Sequence, residues 1–293
     1  MTDVPLPSFL VVGAAKGGTT SVYRWLVAHP QIFMSRPKEP HYFTFVKSAY
    51  RAEGMVTTWD EYVRLFRDAG EAQAIGEAST SYLWSPEAPA RIKAALPRVK
   101  LIAVLRHPAD RAYSAYLHAV REGGESLDFA SALAAEPDRM AQGWPPGLWL
   151  YRDMGFYARQ LRRYIDLFPR DQILVLLHDD LVGAPDALMH EVFRFIGVDD
   201  TFEPDVSVTH NPARLSRSST VERIVDLGTR TPLRALVPRG PRNKLRAGLT
   251  ALNRVQPAPL DPGLRLELTS VFRDDILELE ELTGRDLSGW LGG

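Results

Sequence analysis

Residues 9–30, FLVVGAAKGGTTSVYRWLVAHP, decide the fold. Phe9, Leu10, Val11 and Val12 form a short apolar run that suits a buried parallel strand. Gly13 ends it, and residues 14–18 form a loop of small residues around Lys16. Val22, Trp25, Leu26 and His29 then share one face of a helix, with Thr19 or Thr20 as its expected cap and Pro30 as its stop. A glycine loop between a strand and a helix is an anion site. The first-turn amides are unpaired there, and the helix dipole adds partial positive charge. Gly13, Gly18 and Thr20 fit the nucleotide phosphate loop G-x-x-x-x-G-K-[ST], but Thr19 holds the lysine position and the lysine stands earlier, at Lys16. In nucleoside triphosphatases the displaced lysine reaches the β- and γ-phosphates. This loop therefore suits a smaller or differently arranged anion.

Four further runs read as strands, at 31–34, 74–79, 100–105 and 173–177. The run at 100–105 is apolar on both faces. Helices are expected at 58–66, which opens with capping-box spacing, and at 86–96, 155–168, 185–196 and 264–282. Asp110 is the expected cap of another helix after the fourth strand, and 127–135 is a short one. Strands alternating with helices imply a P-loop-like three-layer α/β fold, a central five-stranded parallel sheet flanked by helices. In such sheets ligands sit beyond the carboxyl ends of the strands. Lys16 and Glu39 both follow strands, so one site is within reach of both. No acid ends the strand at 100–105, where an NTPase would usually hold Mg²⁺.

The loop K-G-G-T-T-S resembles the 5′-phosphosulfate loop of sulfotransferases that use 3′-phosphoadenosine 5′-phosphosulfate (PAPS). R-P-K-E-P-H-Y-F, residues 36–43, resembles the branch containing the heparan sulfate N- and 3-O-sulfotransferases and bacterial relatives. G-E-A-S-T-S-Y-L is similar to that family's G-E-x-S-P-x-Y, with Thr80 where proline is usual and Ala78 where the animal enzymes carry lysine. V-L-R-H-P-x-x-R-A-Y-S-x-Y looks like the 3′-phosphate segment, and G-R-D-L-S-G-W-L matches the ending. The resemblance implies one domain over 1–293, with a core at about 8–200 and a cofactor-closing, basic helical part at about 205–293.

It also implies sulfuryl transfer from PAPS to a hydroxyl or amine by in-line displacement, with 3′,5′-ADP as the product and no metal required. Negative charge grows on the leaving oxygen, and Lys16 is the cation chosen for it. Glu39 is the chosen base, with His41 as a second base or a positioning donor. Gly17, Gly18, Thr19, Thr20 and Ser21 would hold the 5′-phosphate, Arg106 and Ser114 the 3′-phosphate, and Arg217 and Ser218 would close over the nucleotide. Blander readings stand beside these. Lys16 suits a plain surface lysine, Glu39 a partner of Lys38 or Arg36, Arg106 a structural ion pair, and Glu77 either a site organiser or a strand-end cap. A P-loop kinase or NTPase is the competing enzyme, and a non-catalytic nucleotide-binding protein the competing binder.

Composition narrows the surroundings. The chain has 293 residues, 45% of them hydrophobic, with a net charge of −1, which disfavours a nucleic-acid partner. There is no cysteine, so disulfides, thiolate metal sites and a cysteine nucleophile are excluded; no paired-histidine metal motif occurs either. The first residues lack a basic n-region and no run is long enough to span a bilayer, so the expectation is a cytoplasmic protein. Residues 211–256 hold ten Lys or Arg against two acids, Glu222 and Asp226. That stretch reads as a solvated face near a polyanionic cofactor, and it leaves peripheral membrane contact open. The acceptor is left as a small molecule, glycan or lipid, and the oligomeric state is left open.

Overall fold

The structure is a computed structural model that describes residues 4–44, 54–144, 149–206 and 257–292, with the backbone of 215–216 and 254–255. Five parallel strands form its centre: β1 (Phe9–Gly13), β2 (Ile32–Met34), β3 (Ala74–Ala78), β4 (Lys100–Leu105) and β5 (Ile173–Leu177). Their order is β2-β3-β1-β4-β5, so β1 lies in the middle. Its register runs Leu10↔Glu77 on one side and Leu10↔Leu101 on the other. Every residue of β1 and β3 is buried, as a sheet covered on both faces requires.

One face is covered by α1 (Thr19–Ala28) and by α10 (Pro185–Ile196), which follows α9 (His178–Gly183). Val22, Trp25 and Leu26 meet Leu188, Met189, Val192 and Phe193 there. The other face carries α2 (Trp59–Arg64), α3 (Ser81–Trp84), α4 (Ala88–Ala95), α5 (Pro108–Arg121) and α8 (Tyr157–Ile165). Short helices α6 (Phe129–Ala134) and α7 (Glu136–Ala141) lie between α5 and α8 in the chain. The long α11 (Pro262–Thr283), capped by Asp261, buries Leu268, Phe272, Ile276 and Leu279 against this layer, and α12 (Ser288–Leu291) follows. Each such side chain stabilises the fold by roughly 1.5–3 kcal/mol. A two-stranded ribbon pairs β6 (Leu215–Ser216) with β7 (Arg254–Val255). No described helix is long and apolar enough to cross a membrane.

Several expectations change in detail. The cap of α1 is Gly18, with φ of 106° and no side-chain cap, rather than Thr19 or Thr20. A left-handed residue is needed to turn from the loop into the helix, and glycine adopts it without strain. Asp110 does not cap α5. His107 does, its Nδ1 accepting from the Ala109 amide at 3.3 Å, because Pro108 already begins the helix. Asp110 instead meets the guanidinium of Arg265 on α11, with Nε donating to Oδ1 at 3.0 Å. The helix expected at 58–66 stops at Arg64, and the one expected at 86–96 runs only from Ala88 to Ala95.

Candidate active site

The carboxyl ends of β1 and β4 carry a cluster of cations. Gly17 sits so close to β4 that an added Cβ would stand 2.1 Å from the Val104 carbonyl oxygen, so only glycine fits. The Ala14 amide donates to that same carbonyl at 2.9 Å. This wedge presses the loop against the sheet and turns Lys16 through a left-handed φ of 69°. The Lys16 ammonium is pushed down to about 8, first by burial and then by Arg121, Arg106 and Arg111, with Glu122 opposing. His118, one turn before Arg121 on α5, also feels the Lys16 charge, and its ring nitrogen lies 2.7 Å from Arg121.

Arg111 is fully buried. It donates to the Tyr151 carbonyl, while its Nε and Nη1 have no partner. Arg106 follows β4, and its carbonyl accepts from the Tyr157 hydroxyl at 3.0 Å. His178 opens α9 beside Gly18 and lies within the field of Arg106; burial is the main reason its imidazole sits below the usual range. Ser114 stands two turns into α5, half-buried. The sequence-chosen phosphate donors are not equivalent. The Gly17 and Ser21 amides are spent inside the loop on the Ala14 and Gly18 carbonyls, at 2.9 and 3.0 Å. The first-turn amides of Thr19 and Thr20 have no intrahelical acceptor by helix geometry. Arg217 and Ser218 lie outside the described residues.

A second constellation stands beyond β2 and β3. Glu39 and His41 both hold left-handed backbone, with φ of 65° and 55°, although neither is glycine. Such conformations persist when their surroundings over-determine them. Here the Glu39 amide donates to the Ala78 carbonyl and the His41 amide to Ser79 Oγ, both at 2.9 Å. Glu39 Oε2 accepts from the Thr80 amide at 2.7 Å and from its hydroxyl at 3.2 Å, while Oε1 takes the Lys38 ammonium at 2.5 Å. Glu39 is therefore a partner of Lys38. His41 Nδ1 lies 2.7 Å from Ser81 Oγ and Nε2 lies 3.7 Å from Glu39. Burial holds His41 below its usual range, against the pull of Glu39.

Glu77, on β3, is wholly buried under this loop. Tyr62 donates to its Oε2 at 3.2 Å. Burial pushes the carboxyl up to about 7, and the Glu39 charge adds to that shift, against the Ser79, Tyr82 and Tyr62 hydroxyls. Sequence reasoning missed His118, Arg121 and His178, because nothing in helix spacing says which face of α5 or which end of α9 meets the loop. It also passed over Thr80 as a contact. Among the described residues no group of three or more His, Cys, Asp or Glu is arranged to hold a metal.

A parallel α/β sheet with a glycine loop and a cluster of cations at its central strand is an arrangement suited to an anionic ligand. The chain belongs to the Sulfotransferase family, whose model matches residues 7–204. It is 27% identical to the mouse bifunctional heparan sulfate N-deacetylase/N-sulfotransferase 3 over 98% of this chain and 31% of that protein. It is 31% identical to the mouse heparan sulfate glucosamine 3-O-sulfotransferase 3A1 over 66% of this chain and 46% of that one. The chain thus spans less than a third of the length of the N-deacetylase/N-sulfotransferase. A crystal structure of a sulfotransferase from Alicyclobacillus acidocaldarius matches with a TM-score of 0.77 and 33% identity, covering 98% of this chain and 99% of that one.

Proposed function

We propose that this chain transfers a sulfuryl group from PAPS to a hydroxyl or amine of a glycan, lipid or small-molecule acceptor. The observation that carries the reading is Lys16, buried in a glycine loop among Arg106, Arg111 and Arg121. Four like charges facing one carboxylate, Glu122, leave an excess of positive charge that favours a polyanionic ligand. The glycine cradle fits one as well, since the close approach of Gly17 to β4 leaves no room for a side chain between the loop and the sheet.

The donor supplies an activated sulfuryl group: the acceptor's oxygen or nitrogen bonds to sulfur while the bond from sulfur to the bridging oxygen breaks, and 3′,5′-ADP leaves with that electron pair. Thr19 and Thr20 offer first-turn amides and hydroxyls to the 5′-phosphate. Arg106 and Ser114 select the 3′-phosphate, the guanidinium through paired hydrogen bonds. Lys16 stabilises charge on the leaving oxygen. Glu39 takes the acceptor's proton, and His41, neutral through burial, orients the acceptor. The relatives named for heparan sulfate make a glycan the first acceptor class to test.

Calorimetry with 3′,5′-ADP and with ATP, each with and without Mg²⁺, tests the donor side. Tight binding of 3′,5′-ADP that does not depend on Mg²⁺ is expected, and a preference for Mg·ATP would reject the reading. Transfer of radiolabelled sulfate from PAPS into a panel of glycan, lipid and small-molecule acceptors tests the reaction itself.

A further inference from the structure

Thr80 occupies a position where the resembling segment usually has proline. Proline has no amide hydrogen. In this chain the Thr80 amide and hydroxyl both donate to the same oxygen of Glu39, at 2.7 and 3.2 Å. A carboxylate has about four lone-pair sites. Thr80 takes the two on Oε2, and Lys38 takes one on Oε1. One site on Oε1 is left.

We propose that Thr80 is a positioning residue of the transfer reaction, fixing Oε2 of Glu39 so that Oε1 is the oxygen presented to the acceptor's proton. The inference rests on Glu39 as the base, and it adds which oxygen acts and what holds it. Glu39 needs such a clamp because its backbone is left-handed and its own amide is held at the end of β3, by the Ala78 carbonyl. Two charge-assisted hydrogen bonds from a residue at the start of α3 tie the side chain to the same strand end as the backbone. The usual proline has neither the amide hydrogen nor the hydroxyl, so it removes both donors.

The backbone at Thr80 provides a clean test. Its φ of −70° and ψ of −14° already suit proline, so Thr80→Pro deletes the N–H and the hydroxyl together with little strain at that residue. Thr80→Val keeps the N–H and deletes the hydroxyl, and Thr80→Ser keeps both. Sulfuryl transfer is measured with donor and acceptor varied separately, alongside calorimetry with 3′,5′-ADP. The expected result is a fall in kcat of about tenfold or more for Thr80→Pro, a smaller fall for Thr80→Val and recovery in Thr80→Ser. Affinity for 3′,5′-ADP should be the same in all four proteins. A Thr80→Pro enzyme with the kcat of the parent overturns the proposal, and so does loss of 3′,5′-ADP affinity in step with kcat, which would mark a general structural defect. Should Thr80→Pro not fold, Thr80→Val decides: unchanged kcat overturns the proposal and a reduced kcat at constant donor affinity supports it. A crystal structure of Thr80→Pro or Thr80→Val separates this claim from the activity on which it rests. Displacement of the Glu39 carboxyl supports the clamp and an unmoved carboxyl overturns it, even for a protein that transfers nothing.

Discussion

The two halves of the candidate site are built from opposite materials. The half at β1 and β4 is cationic and held by backbone: a glycine wedge, a helix start without a side-chain cap, and Lys16 among three arginines. The half at β2 and β3 is anionic and held by side chains: Glu39 clamped by Thr80 and Lys38, His41 on Ser79 and Ser81, and Glu77 buried beneath. The contrast suits the proposed task. A polyanion is best met by amides and fixed positive charge. A proton acceptor must instead be a carboxylate whose direction is set by neighbours that can themselves be exchanged.

The largest break is expected on the anionic half. Glu39→Gln keeps the shape and removes the base, so transfer should fall by roughly 10²–10⁴ while 3′,5′-ADP still binds. A Glu39→Gln enzyme with full kcat would move the proton-accepting role to another residue, with His41 next in line. On the cationic half, Lys16→Ala should cost roughly 10²–10³ in kcat, as loss of one preorganised charge does at other oxyanions. Lys16 also gives a pH signature. Its ammonium is held at about 8 without a ligand, and a bound polyanion raises it. Binding of 3′,5′-ADP should therefore take up a proton above about pH 8, and affinity should weaken as pH climbs further. Calorimetry in buffers of different ionisation heat reads this directly, and Lys16→Ala should abolish it.

A last effect concerns stability rather than turnover. The folded-state carboxyl of Glu77 lies at about 7 against an ordinary 4.5, so the native state keeps a proton that the unfolded chain has released. Stability contributed by this group is complete below 4.5 and is lost as pH rises to about 7, a change of about 3 kcal/mol. Denaturant melts across that range should show the decline in the parent protein and not in Glu77→Gln. Parallel declines in both proteins would assign the proton elsewhere.

Much of the framework was legible in the chain. The strands at 100–105 and 173–177 and the helix from Pro185 to Ile196 fall where the residues place them, since each is a buried apolar run bounded by punctuating residues. Val22, Trp25 and Leu26 do face the sheet. The helix α9 was not legible, because its six residues hold only two apolar ones, Leu181 and Val182, side by side and without a helical period. Nor was the cap of α5, where an imidazole does the work usually assigned to an aspartate. In the site, Lys16, Glu39 and Arg106 could be singled out because each follows a strand end. The left-handed backbone of Glu39 and His41 could not, since no glycine signals it. Thr80 was visible only as a departure from a pattern. Its meaning needed the distance to a carboxylate forty-one residues away.

The order β2-β3-β1-β4-β5 has an evolutionary consequence. On the proposed reading, donor recognition would be lodged at the centre of the sheet, where almost any replacement would disturb neighbours on both sides. The machinery facing the acceptor would be carried by the pair of strands at one edge and the segments beyond them. Descendants of such a chain would be free to drift toward new acceptors by remodelling one margin of the protein, while the seat for the donor would be inherited intact.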